Sequence, residues 1–503
     1  MQLYEAISIG LYLLLMLAIG FYSYRKSSAN SEEFLISGRK LGPVVTALSA
    51  GAADMSGWLL MGLPGALYFS GLSGAWIAIG LTIGAYLNYV LVAPRLRIYT
   101  ETAQNAITLP VFFENRYKDK THLLKLTSSL FILVFFTLYT SAGMVSGGKL
   151  FESAFGMDYM TGVWITSLVV VIYTFLGGFL AVSLTDFVQG TIMILALLIV
   201  PTVAIIQIGG PIESIALISD KGHQYLDLFT GTSVVGIISL IAWGLGYFGQ
   251  PHILVRFMAI ENPGDLVKAK RIGITWMVLT LLGAMLVGLV GIAYLSKFDT
   301  ATMLIFDGSN KEAETIFIYF SRVLFHPLVG GFLLSAILAA VMSTISSQLL
   351  VTSSSLVEDF YKAFLRKQGS PKEFLMVSRI SVLLIALISL LLSLHPRDSI
   401  LNLVGNAWAG FGAAFGPMVL LALLNKKSTW QGALAGMLVG GLTVLFWVYF
   451  EHPFSEWYEI IPGFLFALIV NLLVSRLTYR TNPMIEKEFE RMASKTKEAL
   501  GKG

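Results

Sequence analysis

One aspartate stands where the chain is otherwise fit for hydrocarbon. Across the 54 residues from Leu41 to Pro94, Asp54, in the stretch GAADMSGWLL, is the only Asp, Glu, Lys, Arg or His. A charge at the bilayer centre costs roughly 2.5–3.5 kcal/mol on insertion scales, and a bound cation is one partner that offsets it. A second group of residues suits the same ion. In AILAAVMSTISSQLLVTSSS, Ala340, Ser343, Thr344 and Ser347 recur at i, i+3, i+4 and i+7, one stripe of a helix. Membrane-helix hydroxyls commonly bond back to the i−4 carbonyl or to a neighbouring helix. They are equally oxygen ligands for a hard cation, without excess negative charge. A third group is aromatic: in AWGLGYFGQPH, Trp243 and Tyr247 are four residues apart beside a dense run of Gly and Pro. Aromatics in a membrane span commonly pack in the core or form an interface belt, but a pair at i, i+4 beside a helix break at mid-span escapes that reading. His252, alone in the same run, reads as a hydrogen-bonded structural residue.

The elements that must position these groups are membrane helices. Of 503 residues, 56% are hydrophobic and only 13% charged, against about 25% charged in soluble domains. At about 20 apolar residues per crossing, thirteen spans are predicted: 4–24, 43–70, 73–94, 126–148, 158–180, 187–208, 233–255, 272–296, 326–356, 375–394, 400–424, 430–450 and 459–477. The first has no basic n-region or A-x-A site and is followed directly by Arg25 and Lys26, so it reads as a retained span. With the N-terminus outside, 28 of the 34 Lys and Arg fall in cytoplasmic segments and 6 outside, the asymmetry expected of a multi-pass protein. The tail, 481–503, reads as a short cytoplasmic surface helix that frays. The outer loop 297–325 holds a short amphipathic helix, EAETIFIYFSRVLF. The net charge of +4 suggests no nucleic-acid partner, and the absence of cysteine excludes disulfides and thiolate metal sites. No G-x-x-x-x-G-K-[ST] loop is present, so ATP bound to the chain does not drive it.

Two spans are interrupted. Span 2 carries Gly51, Gly57, Gly62, Pro64 and Gly65 around Asp54, and span 7 carries Gly244, Gly246, Gly249 and Pro251. Pro251 removes a backbone donor and leaves a carbonyl free. Isolated glycines let helices pack closely. Two broken spans five apart, running in opposite directions, fit inverted repeats with a site at their breaks. The expected fold is therefore an all-α membrane protein. Its transmembrane domain covers 1–480, with repeats at about 43–208 (spans 2–6) and 233–424 (spans 7–11).

The stretches GRKLGPVVTALSAGAADMSGWLLMGLPG, YTFLGGFLAVSLTDFVQ, GLGYFGQPHILVRFMA and AILAAVMSTISSQLL resemble the sodium/solute symporter family, and most closely its bacterial proline-carrying branch, from about residue 34 to 470. The resemblance implies secondary active import of L-proline coupled to Na+ across the cytoplasmic membrane. No other cofactor is implied, the lipid bilayer is the setting, and no obligatory protein partner is evident. By the same resemblance, sodium would be held by the carbonyls of Ala52, Met55 and Ala340 and the hydroxyls of Ser343 and Thr344, with Asp54 coupling the ion. The proline site would fall on Ser56, Gly57, Tyr139, Trp243, Tyr247 and Pro251, and Arg39 would belong to the cytoplasmic gate. Some members hold a second sodium at positions matching Asp186, Ser346 and Ser347. The other reading of Asp186 is a helix N-terminal carboxylate facing the macrodipole. The run GNAWAGFGAAFGP in span 11 would line the cytoplasmic pathway.

Other function classes stay open. The symporter could carry another amino acid, pantothenate, a monocarboxylate or a sugar, or the chain could be a transporter-like sensor without coupled flux. An intramembrane enzyme has no partner nucleophile or metal cluster beside Asp54, so no catalytic residue is assigned.

Overall fold

The computed structural model describes residues 3–26, 31–365, 369–394, 399–451 and 453–501. Arg366, Lys367, Arg397 and Lys502, four of the basic residues used for the orientation, lie outside them. Among the described residues the backbone forms helices and no strand, apart from an isolated parallel bridge between Leu41 and Ile260. Among the described residues ten helices are long and apolar enough to cross a membrane, or eleven if the bent pair Val234–Gly249 and Pro251–Ala259 forms one span.

Some of these helices exceed a single crossing. Tyr159–Ile208 has 50 residues, roughly 75 Å at the helical rise, against a hydrocarbon core of about 30 Å. Gly178 interrupts it at φ 55° and ψ −145°, a backbone state that suits a residue without Cβ. A Cβ there would lie 2.5 Å from the Phe34 carbonyl oxygen. The predicted gap between 180 and 187 is thus helical, and the turn is set by one glycine instead of a loop. The 45-residue stretch Trp58–Thr102 is likewise turned at Gly71, with φ 67°.

Helix Pro327–Ser354 is the centre of the molecule. Every residue from Leu333 to Ser354 is buried, which marks a helix enclosed on all sides. It packs against Leu3–Lys26, Leu123–Phe155 and Tyr159–Ile208. Peripheral helices keep a greasy outer face; Pro371–Leu392 exposes Leu384, Leu387, Ile388 and Leu391.

Both predicted breaks are present. Helix Pro43–Asp54 stops at Met55 (φ −81°, ψ 79°), where the Ser56 amide donates to the Asp54 carbonyl at 3.0 Å, a tight three-residue turn. The chain resumes in a widened turn, with the Leu63 amide reaching the Trp58 carbonyl, and continues as Leu63–Ser70. The second break follows a 3-10 stretch, Ala242–Gly249. Gln250 is extended (φ −85°, ψ 104°), and Pro251 opens the next half-helix at a bend of 46°. Pro251 therefore starts a helix, where its missing donor is lost at no cost, instead of removing a bond from within one.

The two broken spans are fastened together at one end. The Leu41 amide donates to the Ala259 carbonyl at 3.1 Å, and the Glu261 amide to the Leu41 carbonyl at 2.9 Å. The Arg39 guanidinium donates to the carbonyls of Met258 (2.6 Å) and Ala106 (2.7 Å), to Thr100 Oγ1 (3.2 Å) and to Asn105 Oδ1 (3.0 Å). Arg97 adds bonds to the carbonyls of Ile260 and Glu261 at 2.7 and 3.1 Å. Beyond the break, the buried Glu314 accepts from Lys149 at 2.9 Å and from the Ile400 amide at 3.1 Å. Its backbone lies against Gly65. The predicted amphipathic outer helix follows it, at Ile316–Val323. The tail also departs from expectation. It forms helix Pro483–Gly501 and docks, with Met492 buried, Phe489 edge-on to Tyr99, and Lys118 paired to Glu488 at 2.7 Å.

Candidate functional site

The break after Asp54 meets the central helix. Ser343 Oγ donates to the Ala52 carbonyl at 2.7 Å, across the gap between the two elements, and lies 3.0 Å from the Ala340 carbonyl. Thr344 Oγ1 reaches the same Ala340 carbonyl at 3.1 Å. Ala52, Ala340, Ser343 and Thr344 are thus gathered around one point, and fully buried Met55 forms the adjoining turn. Back-bonding to the i−4 carbonyl is present, yet it does not account for Ser343. That hydroxyl leaves its own helix to reach a carbonyl that the break makes accessible.

Asp54 is buried with one oxygen engaged and one free. Oδ2 accepts a short hydrogen bond from the Tyr247 hydroxyl, whereas Oδ1 has no hydrogen-bond partner among the described residues. The aspartate thereby joins the two broken spans directly. Next to it, Ser56 is buried, and Gly57 is pressed against its neighbours; a Cβ there would lie 2.6 Å from Ser146 Oγ.

The aromatic residues are arranged differently from the sequence expectation. Trp243 and Tyr247 lie in a 3-10 stretch with about three residues per turn, so positions four apart point about 120° away from each other. Trp243 stacks on Tyr458 (centroids 5.2 Å, 17°) and is tilted against Trp58. Tyr247 meets Trp408 edge-on at 5.1 Å, and Trp408 Nε1 donates to the Trp243 carbonyl at 2.8 Å. Tyr139, on helix Leu123–Phe155, sits edge-on to His252 at 6.1 Å, beside Pro251. His252 itself is buried, with both ring nitrogens lacking hydrogen-bond partners among the described residues. It is held by ring edges of Phe136 and Tyr139 instead of by the hydrogen bonds expected of it.

Asp186 and Ser347 come together, but around a resident cation. Arg256 is fully buried. Its guanidinium reaches Asp186 Oδ2 at 3.1 Å, Ser49 Oγ at 3.1 Å, the His252 carbonyl at 2.6 Å, and Ser347 Oγ in a short contact. Ser49 Oγ in turn donates to Asp186 Oδ2 at 2.6 Å. Ser346 turns away and donates to the Ser343 carbonyl at 3.0 Å. The macrodipole reading of Asp186 fails, since the residue lies inside Tyr159–Ile208, well past the Gly178 break.

Sequence reading missed Arg256, Trp408 and Tyr458 as parts of this region. Arg256 is one of the 28 basic residues that the charge asymmetry assigns to the cytoplasmic side, although its place one turn beyond the Pro251 break is the signal that it belongs to the interior. Trp408 stands in the GNAWAGFG run, whose glycines bring it against Gly246.

The chain is similar to known transporters along nearly its whole length. The family model for the sodium:solute symporter family matches residues 34–440. The osmoregulated proline transporter of Bacillus subtilis is 57% identical over 475 residues, covering 94% of this chain and 95% of the relative. Sodium/proline symporter 2 of Staphylococcus saprophyticus is 53% identical over 501 residues, covering 98% and 96%. Among solved structures, a Na+-coupled sialic acid symporter in a substrate-bound outward-open state superposes with a TM-score of 0.81 at 17% identity, covering 96% of this chain and 99% of its own. A family model over most of the chain, and relatives more than half identical from end to end, show that this protein belongs to the sodium:solute symporter family.

Proposed function

We propose that the chain imports L-proline with Na+ across the cytoplasmic membrane of a bacterium, by alternating access and without catalysing a covalent reaction. The observation that carries this reading is the Ser343 hydroxyl meeting the Ala52 carbonyl at the break beside Asp54. Carbonyls freed by a broken helix and hydroxyls from its neighbour suit an alkali cation. Among the described residues there is no cluster of three His, Cys, Asp or Glu for a multivalent metal. The close relatives named for proline transport support the solute.

In this reading Ala52, Met55, Ala340, Ser343 and Thr344 hold sodium and Asp54 couples it to Tyr247. Ser56, Gly57, Tyr139, Trp243, Tyr247 and Pro251 face the solute. Sodium ordering the break after Asp54 would set the position of Tyr247, so ion and solute favour each other by the same factor. A single sodium is favoured over two, because Arg256 already supplies positive charge between Asp186 and Ser347. Ser343→Ala and Thr344→Ala should raise the sodium concentration for half-maximal proline uptake in proteoliposomes with little change in proline affinity at saturating sodium. Trp243→Ala and Tyr247→Ala should weaken proline binding by roughly 1–3 kcal/mol, the scale of desolvated aromatic contacts. Uptake driven by a proton gradient with no sodium would refute the assignment.

Counting the turns at Gly71 and Gly178 as span boundaries, and each broken helix as one span, gives thirteen crossings. Spans 2–6 and 7–11 then form inverted repeats. The N-terminus would be outside and the tail cytoplasmic, which places the Arg39 fastening at the cytoplasmic end. A reporter active only outside should work when fused after Lys221 or Lys311 and be silent after Lys120, Lys268 or Lys427. Reversed signals at two of these sites would overturn the orientation.

A further inference from the structure

A recess lies on the other side of Asp54 from the central helix. It is a narrow cavity of about 20 Å³ between the Pro43–Asp54 half-helix, the Pro251–Ala259 half-helix, and the helices containing Asn88 and Gly273. Its walls are mostly apolar, with Ala47, Ala50, Ile253 and Met277 among them. Four polar side chains interrupt that lining: Asp54, Asn88, Tyr89 and Tyr247. Asp54 Oδ1, both amide atoms of Asn88 and the Tyr89 hydroxyl are buried without a hydrogen-bond partner among the described residues. Unsatisfied buried amides and hydroxyls are rare and call for an explanation. These three side chains line one recess, which has room for one water-sized occupant.

The backbone is shaped to put them there. Asn88 opens a π-turn, Asn88–Val92, in which the Ala93 amide reaches the Asn88 carbonyl. Such a bulge adds a residue to the turn, and bulges of this kind recur at functional sites. Tyr89 is held in place by Phe257, at 4.8 Å between ring centroids, and its hydroxyl faces Gly273, where a Cβ would come within 2.7 Å of it. One carboxylate oxygen with neutral amide and phenol oxygens is a donor set of low charge. It suits a partly dehydrated monovalent cation better than a multivalent one, which gathers several carboxylates. Position adds direction. The recess follows the half-helix from Ala47 to Asp54 and touches Phe257, so it lies between Asp54 and the end fastened by Arg39.

We propose that Asp54 Oδ1, Asn88 and Tyr89 form a transit station for the alkali cation, separate from the Ser343 site, through which sodium passes between Asp54 and the Arg39 end. The inference rests on the sodium-coupled reading above. Its test uses the full chain in proteoliposomes, with labelled proline and imposed Na+ or Li+ gradients. Tyr89→Phe, which removes one oxygen and keeps the ring, should raise the half-maximal sodium concentration at least threefold and change the Li+ to Na+ ratio. Asn88→Leu should do so more strongly. Proline affinity at saturating sodium should stay within twofold of the parent. Combined with Ser343→Ala, the Tyr89→Phe effect should multiply, as independent sites do. If Tyr89→Phe is correctly folded and both its sodium dependence and its ion ratio match the parent, the recess holds water only and the proposal falls. If the combined variant is no worse than Ser343→Ala alone, Tyr89 acts through the Ser343 site and a separate station is refuted. Loss of sodium dependence in the unsubstituted chain would instead strike the functional reading itself.

Discussion

Asp54→Asn should nearly abolish sodium-dependent proline uptake while leaving the protein as stable as the parent, or more so. The carboxylate is fully enclosed, holds the Tyr247 hydroxyl through one oxygen and leaves the other free. Asparagine keeps the shape and an acceptor for Tyr247, but removes the charge that attracts the cation. A charge-assisted hydrogen bond is worth roughly 1.5–3 kcal/mol, and each 1.4 kcal/mol is about a factor of ten. On that scale, losing the carboxylate's charge beside the ion should lower sodium affinity about 10- to 100-fold. Stability should move the other way, because an enclosed charge without a bound ion carries a desolvation penalty that the neutral amide lessens. Uptake over a wide sodium range and a melting curve in detergent measure the two separately. An Asp54→Asn protein that transports normally would show that the charge is not needed for coupling, and one that simply unfolds would show that the aspartate is structural.

Arg256→Met should have the largest effect on folding of any single change in the region. Its guanidinium ties four elements: the helix of Ser49, the helix of Asp186, the central helix at Ser347, and its own half-helix at the His252 carbonyl. Removing it leaves the buried Asp186 held by the Ser49 hydroxyl alone among the described residues. Breaking one partner of a buried ion pair costs roughly 3–5 kcal/mol, whereas replacing both by apolar groups is often nearly neutral. Arg256→Met should therefore give little folded protein, and Arg256→Met with Asp186→Leu should recover much of it. If the single variant melts like the parent, the pair does not organise these helices.

The fold was legible in the sequence to the extent that hydropathy and glycine spacing carry it. Asp54, both helix breaks and the Ser343–Thr344 pair stood out because each violates what a lipid-spanning segment ordinarily allows. The Gly178 turn was harder to read, since a left-handed glycine between two apolar runs looks like the small residues that merely ease packing. The relation of Trp243 to Tyr247 was misjudged because α-helical periodicity was assumed where the chain winds with three residues per turn. Arg256 resembled a loop charge, for its partner lies 70 residues away. Asn88 and Tyr89 gave no signal at all: a polar amide and a phenol in an apolar run acquire meaning only when the fold places them in the same recess as Asp54.

The fastening at Leu41 and Ile260 bears on how faithfully ion flow is tied to cargo. It joins segments more than two hundred residues apart by two backbone bonds, and by the bonds of Arg39 and Arg97 to the same stretch at 258–261. At about 1 kcal/mol net for each ordinary bond, and more for those from a guanidinium, parting this end costs several kcal/mol. A gap near 5.5 kcal/mol corresponds to a population ratio of about 10⁴. The unloaded protein would then rest shut at that end, and futile slippage of ions would be suppressed by scarcity of the open form instead of by a physical plug.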